Sequence, residues 1–488
     1  MVVDAMHDPD SFRMPKVGAA HGQLFALSLA LFVTGLGLTA LWRLTGGAGW
    51  WLPLLLGSAS AALLAWRRIC WPDAWTRYLS FGAVVLLACV ANRVLYLAEM
   101  IGSDDSYLRW PFYASNPELS IIKAEVATLV GTLLTVFAWL AAGGARHSPG
   151  DVLRAPRGPL LRLLVVTYIA SLLALLASVV APEVLQVSGQ LLPTMLVLGA
   201  TTAFFVPLLV ARRALTRLTM VLLMGLPFTY MALGTGMKEN IILALAPTAY
   251  LLWSYARSRG ARLALLAIAV MALAMVTSYI SFFRGEVWHA DRTINQSQVF
   301  EEFADSVGTR GVATTANEGW REFLSRNNAA PYRGWTMAIA DADGYEPGLV
   351  FAPMLYVFVP RILWPEKPAV RQGWEYSGLV FGANYIAESD SSLSAGFYSG
   401  LYLGQGWLAV VVGAIAVGLV MVFLTRLAYR LGGPVLSGLF TLSLLPYALR
   451  LDEAWTVGAF SAPLINFVYI AAIFFLARLA AGLVKAPG

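Results

Sequence analysis

Apolar segments of about twenty residues recur along almost the whole of this sequence, and a helix of that length can cross a bilayer. Hydrocarbon offers no partner to backbone N–H and C=O groups, so a chain that crosses it must pair these groups within helices. The pattern therefore predicts an all-α integral membrane protein with about twelve transmembrane helices. The predicted spans lie near residues 22–42, 48–66, 78–100, 119–142, 160–181, 190–211, 217–235, 240–255, 263–282, 401–424, 434–450 and 457–478.

The composition agrees with this class and disfavours several others. Only 13% of the residues are charged, about half of what a soluble domain carries. The two cysteines and four histidines are too scattered for a disulfide framework or a metal cluster. The polar first twenty residues predict no cleavable signal peptide. No P-loop, dinucleotide-binding or kinase motif is present, and nothing indicates a nucleic-acid partner or a cofactor.

The arginines predict the orientation of the spans. Alternate connections are rich in arginine, near residues 67–77, 146–157, 212–217, 257–262 and 426–430. Because positive connections stay in the cytoplasm, both termini are predicted to be cytoplasmic.

This orientation leaves one long segment, residues 283–399, on the outer face. It separates an N-terminal membrane region of about nine spans, 1–282, from a C-terminal one of about three, 400–488. Its many tryptophans argue against disorder and for short helices. The stretch 349–364 is apolar but broken by prolines, which predicts a re-entrant or interfacial segment.

Charged residues close to the membrane are costly and therefore mark candidate sites. Lys238 and Glu239 follow two glycines in the turn between two predicted spans, where backbone N–H groups and a cation could hold a phosphate. An ordinary turn with an interfacial Lys–Glu pair explains the same residues.

A second motif follows the ninth predicted span. Arg284 suits phosphate recognition, Glu286 or His289 could act as a general base, and Trp288 lies between them. The alternative is an aromatic belt with flanking charges at the membrane surface.

A third motif is the proline-rich turn at 359–368. Its prolines fix the backbone, and Arg361, Lys367 and Trp364 project from it, an arrangement suited to an anionic headgroup or to simple interfacial anchoring.

Two further groups of charged residues have simpler explanations. Asp104 and Asp105 could be a base or metal ligands, but a solvated loop tip is the favoured explanation. Arg93 lies at the estimated depth of Lys123 and Glu125, which predicts an interhelical ion pair.

The number of spans, the long outer segment and three sequence motifs together resemble one family. The hairpin at 234–240, the turn at 359–368 and the small and aromatic run 391–406 resemble bacterial O-antigen (oligosaccharide repeat-unit) polymerases of the Wzy type. The likeness covers roughly residues 220–425. Lys238 stands where arginine is frequent in that family, and Ser399 stands where an acidic residue is frequent.

The resemblance implies metal-independent glycosyl transfer at the outer face of the bacterial inner membrane. A glycan on an undecaprenyl pyrophosphate carrier would be transferred to the next lipid-linked repeat unit, among membrane lipids and with a chain-length regulator as a possible protein partner. The implied roles divide into three groups. Catalytic residues would be Arg284, Glu286, His289 and Glu239; pyrophosphate-binding residues would be Arg284, Arg361, Lys238 and Lys367; sugar-binding residues would be Trp288, Trp335 and Trp364.

Three alternatives stay open on the sequence alone. An O-antigen ligase-type transferase would differ in its acceptor. A transferase that uses a lipid-phosphate sugar would take its base from Asp104 or Asp105. A polysaccharide or lipid transporter would act without catalysis, and such proteins usually carry charges at the bilayer midplane between two related halves.

Overall fold

The structure is a computed structural model. It describes residues 85, 88, 89, 117–144, 157–180, 191–233, 241, 245, 259–288, 296–327, 330–359, 364, 366–368, 370, 372–381, 394–444, 447, 448, 451–480 and 482. The described residues all belong to one compact unit of the chain, Ala74–Gly488.

Every regular element among these residues is a helix, which confirms the predicted all-α class. The helices are α1 Pro117–Ala141, α2 Arg157–Val180, α3 Leu191–Val210, α4 Ala214–Leu233, α5 Arg259–Phe283, α6 Gln296–Arg310, α7 Val312–Asn327, α8 Ala330–Ala342, α9 Pro347–Tyr356, α10 Gln372–Phe381, α11 Phe397–Ser443 and α12 Thr456–Ala480. A short π-helical turn, Arg284–Trp288, continues α5.

Six of the described helices, α1, α2, α4, α5, α11 and α12, are long and apolar enough to cross a membrane. The chain is therefore a multi-pass membrane protein. The predicted total of about twelve spans stays a prediction. The segments predicted near 22–42, 48–66, 78–100 and 240–255 lie outside the described residues, apart from isolated positions.

Helix α11 is longer than one membrane crossing and is interrupted twice. Its 47 residues would extend about 70 Å if straight, more than twice the hydrocarbon thickness. The backbone is non-helical at Gln405, Gly406 and Gly433, and both glycines have φ near +65°. These breaks divide α11 into α11a (397–404), α11b (407–432) and α11c (434–443).

The chain reverses direction at both breaks. A side chain at Gly413 would lie 2.6 Å from Leu401, although the two positions would be about 18 Å apart along a straight helix. The Ser437 hydroxyl likewise reaches back to the Thr425 carbonyl at 3.5 Å. Segment α11a therefore runs antiparallel to α11b, and α11c turns back beside the other end of α11b.

Helix α1 is the central element of the main core and packs against α8 and α11. The Thr135 hydroxyl lies 3.1 Å from the Tyr398 hydroxyl and donates to the Ala414 carbonyl at 3.0 Å. The Tyr398 ring fills the space beside Gly131, where any larger residue would overlap it. Small residues allow such close helix contacts in membranes. At the far end of α1, the Arg426 guanidinium donates to the Ala142 carbonyl.

A second bundle consists of α2, α3 and α4. The Phe228 ring occupies the space beside Gly199, and the Tyr168 hydroxyl donates to the Met224 carbonyl at 3.0 Å. Pro207 lies within α3 and Pro227 within α4. Neighbouring helices often compensate for such breaks in membrane proteins.

The long segment 283–399 contains helices α6 to α10. Helix α7 packs along the last part of α5, where the Ser278 hydroxyl donates to the Thr315 carbonyl at 2.7 Å. Helix α9 is ten residues long and covers the first eight residues of the apolar stretch 349–364. Ten residues extend about 15 Å, half of the hydrocarbon thickness, so α9 cannot cross a bilayer.

Candidate active site

Three helix ends bring a carboxylate, an ammonium group and a phenol together. Asp341, in the last turn of α8, accepts hydrogen bonds from the Lys123 ammonium at 2.6 Å on each carboxylate oxygen. The Tyr402 hydroxyl of α11a donates to Asp341 Oδ1 at 2.8 Å. The Asp341 side chain is 46% exposed. The result is a carboxylate that is held in place by two partners and still open to solvent.

Aromatic rings pack on Tyr402, the phenol that donates to this carboxylate. The Lys123 ammonium lies 4.4 Å from the centre of the Tyr402 ring, which is within range of a cation–π interaction. The Tyr402 ring contacts Tyr345 at 6.0 Å and Trp407 at 5.6 Å, both edge to face. Lys123, Asp341, Tyr345, Tyr402 and Trp407 are called the Asp341 cluster below.

A buried ion triad lies on α1, α8 and the connection just before α12. The Arg333 guanidinium of α8 donates to Glu125 of α1 at 2.7 Å and to Asp452, just before α12, at 2.6 Å. All three side chains are at most 6% exposed. Burial by itself would lower the pKa of Arg333, but the charges of Asp452 and Glu125 raise it above its usual value. Arg333 therefore stays charged at every pH at which a protein is handled.

The triad and the Asp341 cluster both join α1 to α8. Arg333 and Asp341 lie eight residues apart on α8, about two turns, and Glu125 and Lys123 are both near the start of α1. The backbone N–H of Phe397, the first residue of α11a, donates to the Asp452 carbonyl at 3.3 Å. The triad thus connects α8 to the helix ends that carry Lys123 and Tyr402.

Ser399, in α11a, is fully buried. Its hydroxyl has no hydrogen-bond partner among the residues that the structure describes. An exposed general base at this position is therefore not available, as the serine already suggested.

The predicted motif after α5 adopts unusual local geometry. Arg284 and Glu286 lie in the π-helical turn Arg284–Trp288 and are both partly buried. Such turns are rare and frequently occur at functional sites. The residue just before it, Phe283, packs in one cluster with Leu233 and Ile241, which flank the first predicted motif. Residues on both sides of Lys238 and Glu239 therefore lie near the base of the Arg284 turn.

Of the predicted sugar-binding residues, Trp335 and Trp364 have different surroundings. Trp335 is buried in the main core and packs edge to face on Tyr332 at 4.8 Å and on Phe381 at 5.8 Å. This corrects the expectation for Trp335, because its ring has almost no free surface for a sugar. Trp364 is 41% exposed and contacts Tyr356. For Trp288 the structure describes the backbone only.

Lys367 has a local structural role. Its ammonium donates to the carbonyls of Val357 at 3.2 Å and Val359 at 2.9 Å, just after the end of α9. A cation at this position satisfies carbonyls that have no partner inside a helix. Two of its three N–H donors are thus engaged by the backbone.

Several predicted residues lie outside the described part of the chain. They are Arg93, Asp104, Asp105, Lys238, Glu239, His289 and Arg361. Lys123 and Glu125 have Asp341 and Arg333 as ion-pair partners, and the pair predicted with Arg93 lies outside the described residues.

Sequence reasoning missed Arg333, Asp341, Tyr402 and Asp452. Their partners are between 61 and 218 residues away in the chain, so no local pattern brings them together. The available signal was the presence of Arg333 and Asp341 in the long segment and of Asp452 in a short connection between apolar stretches.

A comparison with models of protein families gave a match over most of the chain. The model of the family described as a domain of unknown function, DUF8712, matches residues 95–445. The chain belongs to this family. The DUF8712 match includes Lys123, Glu125, Arg333, Asp341 and Tyr402, whereas Asp452 lies just beyond it. Comparisons with curated proteins and with solved structures gave no match.

Proposed function

We propose that this DUF8712 protein is a membrane glycosyltransferase that polymerises lipid-linked oligosaccharide repeat units at the outer face of the bacterial inner membrane. The observation that carries the proposal is the half-exposed Asp341 carboxylate, held by Lys123 and Tyr402 at the ends of the bundle helices. By the arginine pattern, these helix ends face outward.

Asp341 has the properties that activation of a sugar hydroxyl requires. The Lys123 ammonium holds the carboxylate in place, and a carboxylate has about four acceptor positions, so Oδ2 can still accept a hydrogen bond from a substrate. An anionic substrate group, such as a pyrophosphate next to the acceptor sugar, can compete with Asp341 for the Lys123 ammonium.

The reaction that we propose is a single displacement. The acceptor hydroxyl of one repeat unit, hydrogen-bonded to Asp341, attacks the anomeric carbon of the glycan on the second carrier. The new C–O bond forms while the bond between the anomeric carbon and the lipid pyrophosphate breaks. Asp341 takes the proton, and the pyrophosphate leaves with the electron pair. No nucleotide-sugar site is required, since the donor is lipid-linked.

Cations must offset the charge that develops on the leaving pyrophosphate. We assign this role first to Arg284, whose planar guanidinium can bind two phosphate oxygens. Its position in a π-helical turn at the end of α5 supports this assignment. Lys238 and Arg361 remain candidates for the same role, and Glu286, His289 and Glu239 remain alternative bases to Asp341.

The test is the surface polysaccharide profile on a gel, in a strain from which the gene is deleted. We expect single lipid-linked repeats instead of a ladder, and restoration of the ladder by the wild-type chain. Asp341→Asn should reduce polymerisation by at least about 100-fold, a typical contribution of a general base. Asp343→Asn is the matched control, because Asp343 is an exposed carboxylate two residues away.

Arg284→Ala tests the assigned cation in the same strain. Each variant is compared at equal abundance in the membrane by immunoblot. A full ladder in the deletion strain, or equal ladders from Asp341→Asn and Asp343→Asn, would contradict the proposal. Loss of lipid-linked repeats from the outer leaflet in the deletion strain would indicate a transporter instead.

A further inference from the structure

We infer that Tyr345 and Trp407 form a binding surface for the pyranose rings of the acceptor glycan, beside Asp341. The inference rests on the proposed function and identifies which part of the substrate the Asp341 cluster binds. Tyr345 is 51% exposed and Trp407 is 39% exposed, whereas Tyr402 between them is almost fully buried. The two exposed rings thus extend from a buried aromatic base.

The chemistry of this surface fits a sugar more closely than a lipid tail. Pyranose rings present C–H groups on their faces, which pack on aromatic rings, and hydroxyls at their edges, which hydrogen-bond to charged side chains. Both kinds of partner are present within the cluster. Tyr402 contacts both exposed rings and also donates a hydrogen bond to Asp341. The Lys123 ammonium donates to the same carboxylate.

The break in α11 positions Tyr345. A side-chain carbon at Gly406 would lie 2.6 Å from the Tyr345 hydroxyl, so the phenol packs directly on this glycine. Gly406 also has φ +66°, a conformation that other residues rarely adopt. The backbone N–H of Glu346 donates to the Leu403 carbonyl at 2.8 Å and fixes the same turn.

The neighbouring glycine has a related role. A side chain at Gly404 would lie 2.6 Å from the Phe351 ring of α9. The glycine pair 404 and 406 therefore lets α9 and Tyr345 approach the turn that ends in Trp407. This gives a physical reason for the glycine pair on which part of the family resemblance rested.

An aromatic belt at the membrane surface is the competing explanation, and it predicts a different response to substitution. A belt residue contributes to anchoring, so its loss would not change sugar affinity. Tyr429, on the same segment α11b and 46% exposed, serves as the matched control. It lies one turn from Arg426, at the opposite end of α11b from Trp407.

The experiment measures glycan binding and turnover separately, with detergent-solubilised full-length protein. The binding probe is the free oligosaccharide that mild acid releases from the lipid carrier of the deletion strain, followed by saturation-transfer NMR. The turnover substrate is the intact lipid-linked repeat unit. Tyr345→Ala and Trp407→Ala are each compared with Tyr429→Ala and Asp341→Asn.

We expect Tyr345→Ala and Trp407→Ala to weaken oligosaccharide binding and raise KM by about 2- to 10-fold each, the range of one aromatic contact. Their kcat should change by less than about 2-fold, because neither ring takes the proton. Tyr429→Ala should match the wild type. Asp341→Asn should lose turnover while it keeps most of the binding.

Unchanged binding in both Tyr345→Ala and Trp407→Ala would overturn the inference, even if Asp341→Asn abolished turnover. If wild-type protein bound the oligosaccharide through these two residues but transferred no glycan, the proposed function would fail and the binding surface would stand. Equal losses in all three alanine variants would show a general structural effect and would also overturn the inference.

Discussion

Arg333 donates hydrogen bonds to two buried carboxylates at once. A guanidinium can donate to two acids in different directions, and here it bonds Glu125 and Asp452 at 2.7 and 2.6 Å. Such an arrangement contributes little net stability compared with an apolar core, because desolvation of the three charges offsets their attraction. Removal of one member is nevertheless costly, since the remaining charges stay buried.

We therefore predict that Arg333→Met destabilises the protein by about 3–5 kcal/mol, as expected for one partner lost from a buried ion pair. The measurement is the apparent melting temperature in detergent, read by a thiol-independent fluorescence assay. The control is Arg310→Met. Arg310 pairs with Glu318 at 3.4 Å, but both side chains are more than half exposed, so the expected loss is below about 1 kcal/mol.

Equal melting temperatures for the two methionine variants would mean that the triad is not a structural link between α1, α8 and α12. Arg333→Lys adds a graded test. A lysine keeps the charge but cannot reach both carboxylates with a planar fork, so it should fall between the wild type and Arg333→Met.

At the scale of helices, the positions of most described elements follow from the sequence. The predicted spans 119–142, 160–181, 190–211 and 457–478 agree with helices Pro117–Ala141, Arg157–Val180, Leu191–Val210 and Thr456–Ala480 to within a few residues. Length and hydropathy determine these boundaries, because a helix that crosses hydrocarbon must be apolar along about twenty residues.

The breaks within α11 were only partly predictable. The gap between the predicted spans 401–424 and 434–450 contains Gly433, and the structure has its break there. The earlier break at Gly406 falls inside a predicted span. Two glycines in an apolar run do not by themselves distinguish a turn from close helix packing. Here Gly404 allows close packing of α9, and Gly406 allows the turn.

Substitution of Gly433 tests the backbone conformation at the second break in α11, separately from side-chain packing. Its φ is +65°, and apart from the adjacent backbone no atom of the described residues lies within 4 Å of the position that a side-chain carbon would take. Its ψ is −156°, and this combination of angles is essentially restricted to glycine. Gly433→Ala should therefore destabilise the protein by about 1–3 kcal/mol through backbone strain alone. Gly458 has equally open surroundings, but it lies within the regular helix α12.

Gly458→Ala is thus the matched control. It should leave the melting temperature unchanged or raise it, since alanine favours helix over glycine by up to about 1 kcal/mol. If Gly433→Ala were as stable as Gly458→Ala, the reversal between α11b and α11c would not depend on the positive φ of residue 433.

At the scale of the whole molecule, contacts in the structure join residues that are predicted to lie on the same side of the membrane. The local sequence patterns do not by themselves require this. Lys123, Arg333, Tyr402 and Asp452 are predicted to belong to outer helix ends or outer connections, and the structure joins them through the Asp341 cluster and the triad. Arg426 belongs to a predicted cytoplasmic connection and bonds the end of α1.

The arrangement of the whole molecule explains why the Asp341 cluster could not be predicted from the sequence. The hypotheses from the sequence depended on residues close together in the chain, such as Arg284 with Glu286. The Asp341 cluster instead joins the start of α1, the end of α8 and the turn between α11a and α11b. Only the packing of these helices shows that Lys123 and Asp341 meet.

The final prediction concerns which side of the membrane carries the Asp341 cluster. After replacement of Cys70 and Cys89, a single cysteine is introduced as Asp343→Cys or Arg430→Cys, both at exposed positions. Asp343 is next to the cluster in the chain, and Arg430 follows Arg426. A membrane-impermeant thiol reagent applied to intact spheroplasts should label the cysteine at 343 and leave the cysteine at 430 unlabelled until the membrane is permeabilised.

The physical reason is that the arginine-rich connections stay in the cytoplasm, so the opposite ends of α1 and α11b must face outward. The reverse labelling pattern would invert the molecule and expose Asp341 to the cytoplasm. In that case the carboxylate could not act on glycans at the outer leaflet. The polymerase proposal would then be wrong, because the carboxylate would lie on the opposite side of the membrane from the glycans. The stability of the triad and the affinity of the aromatic surface would not change this conclusion.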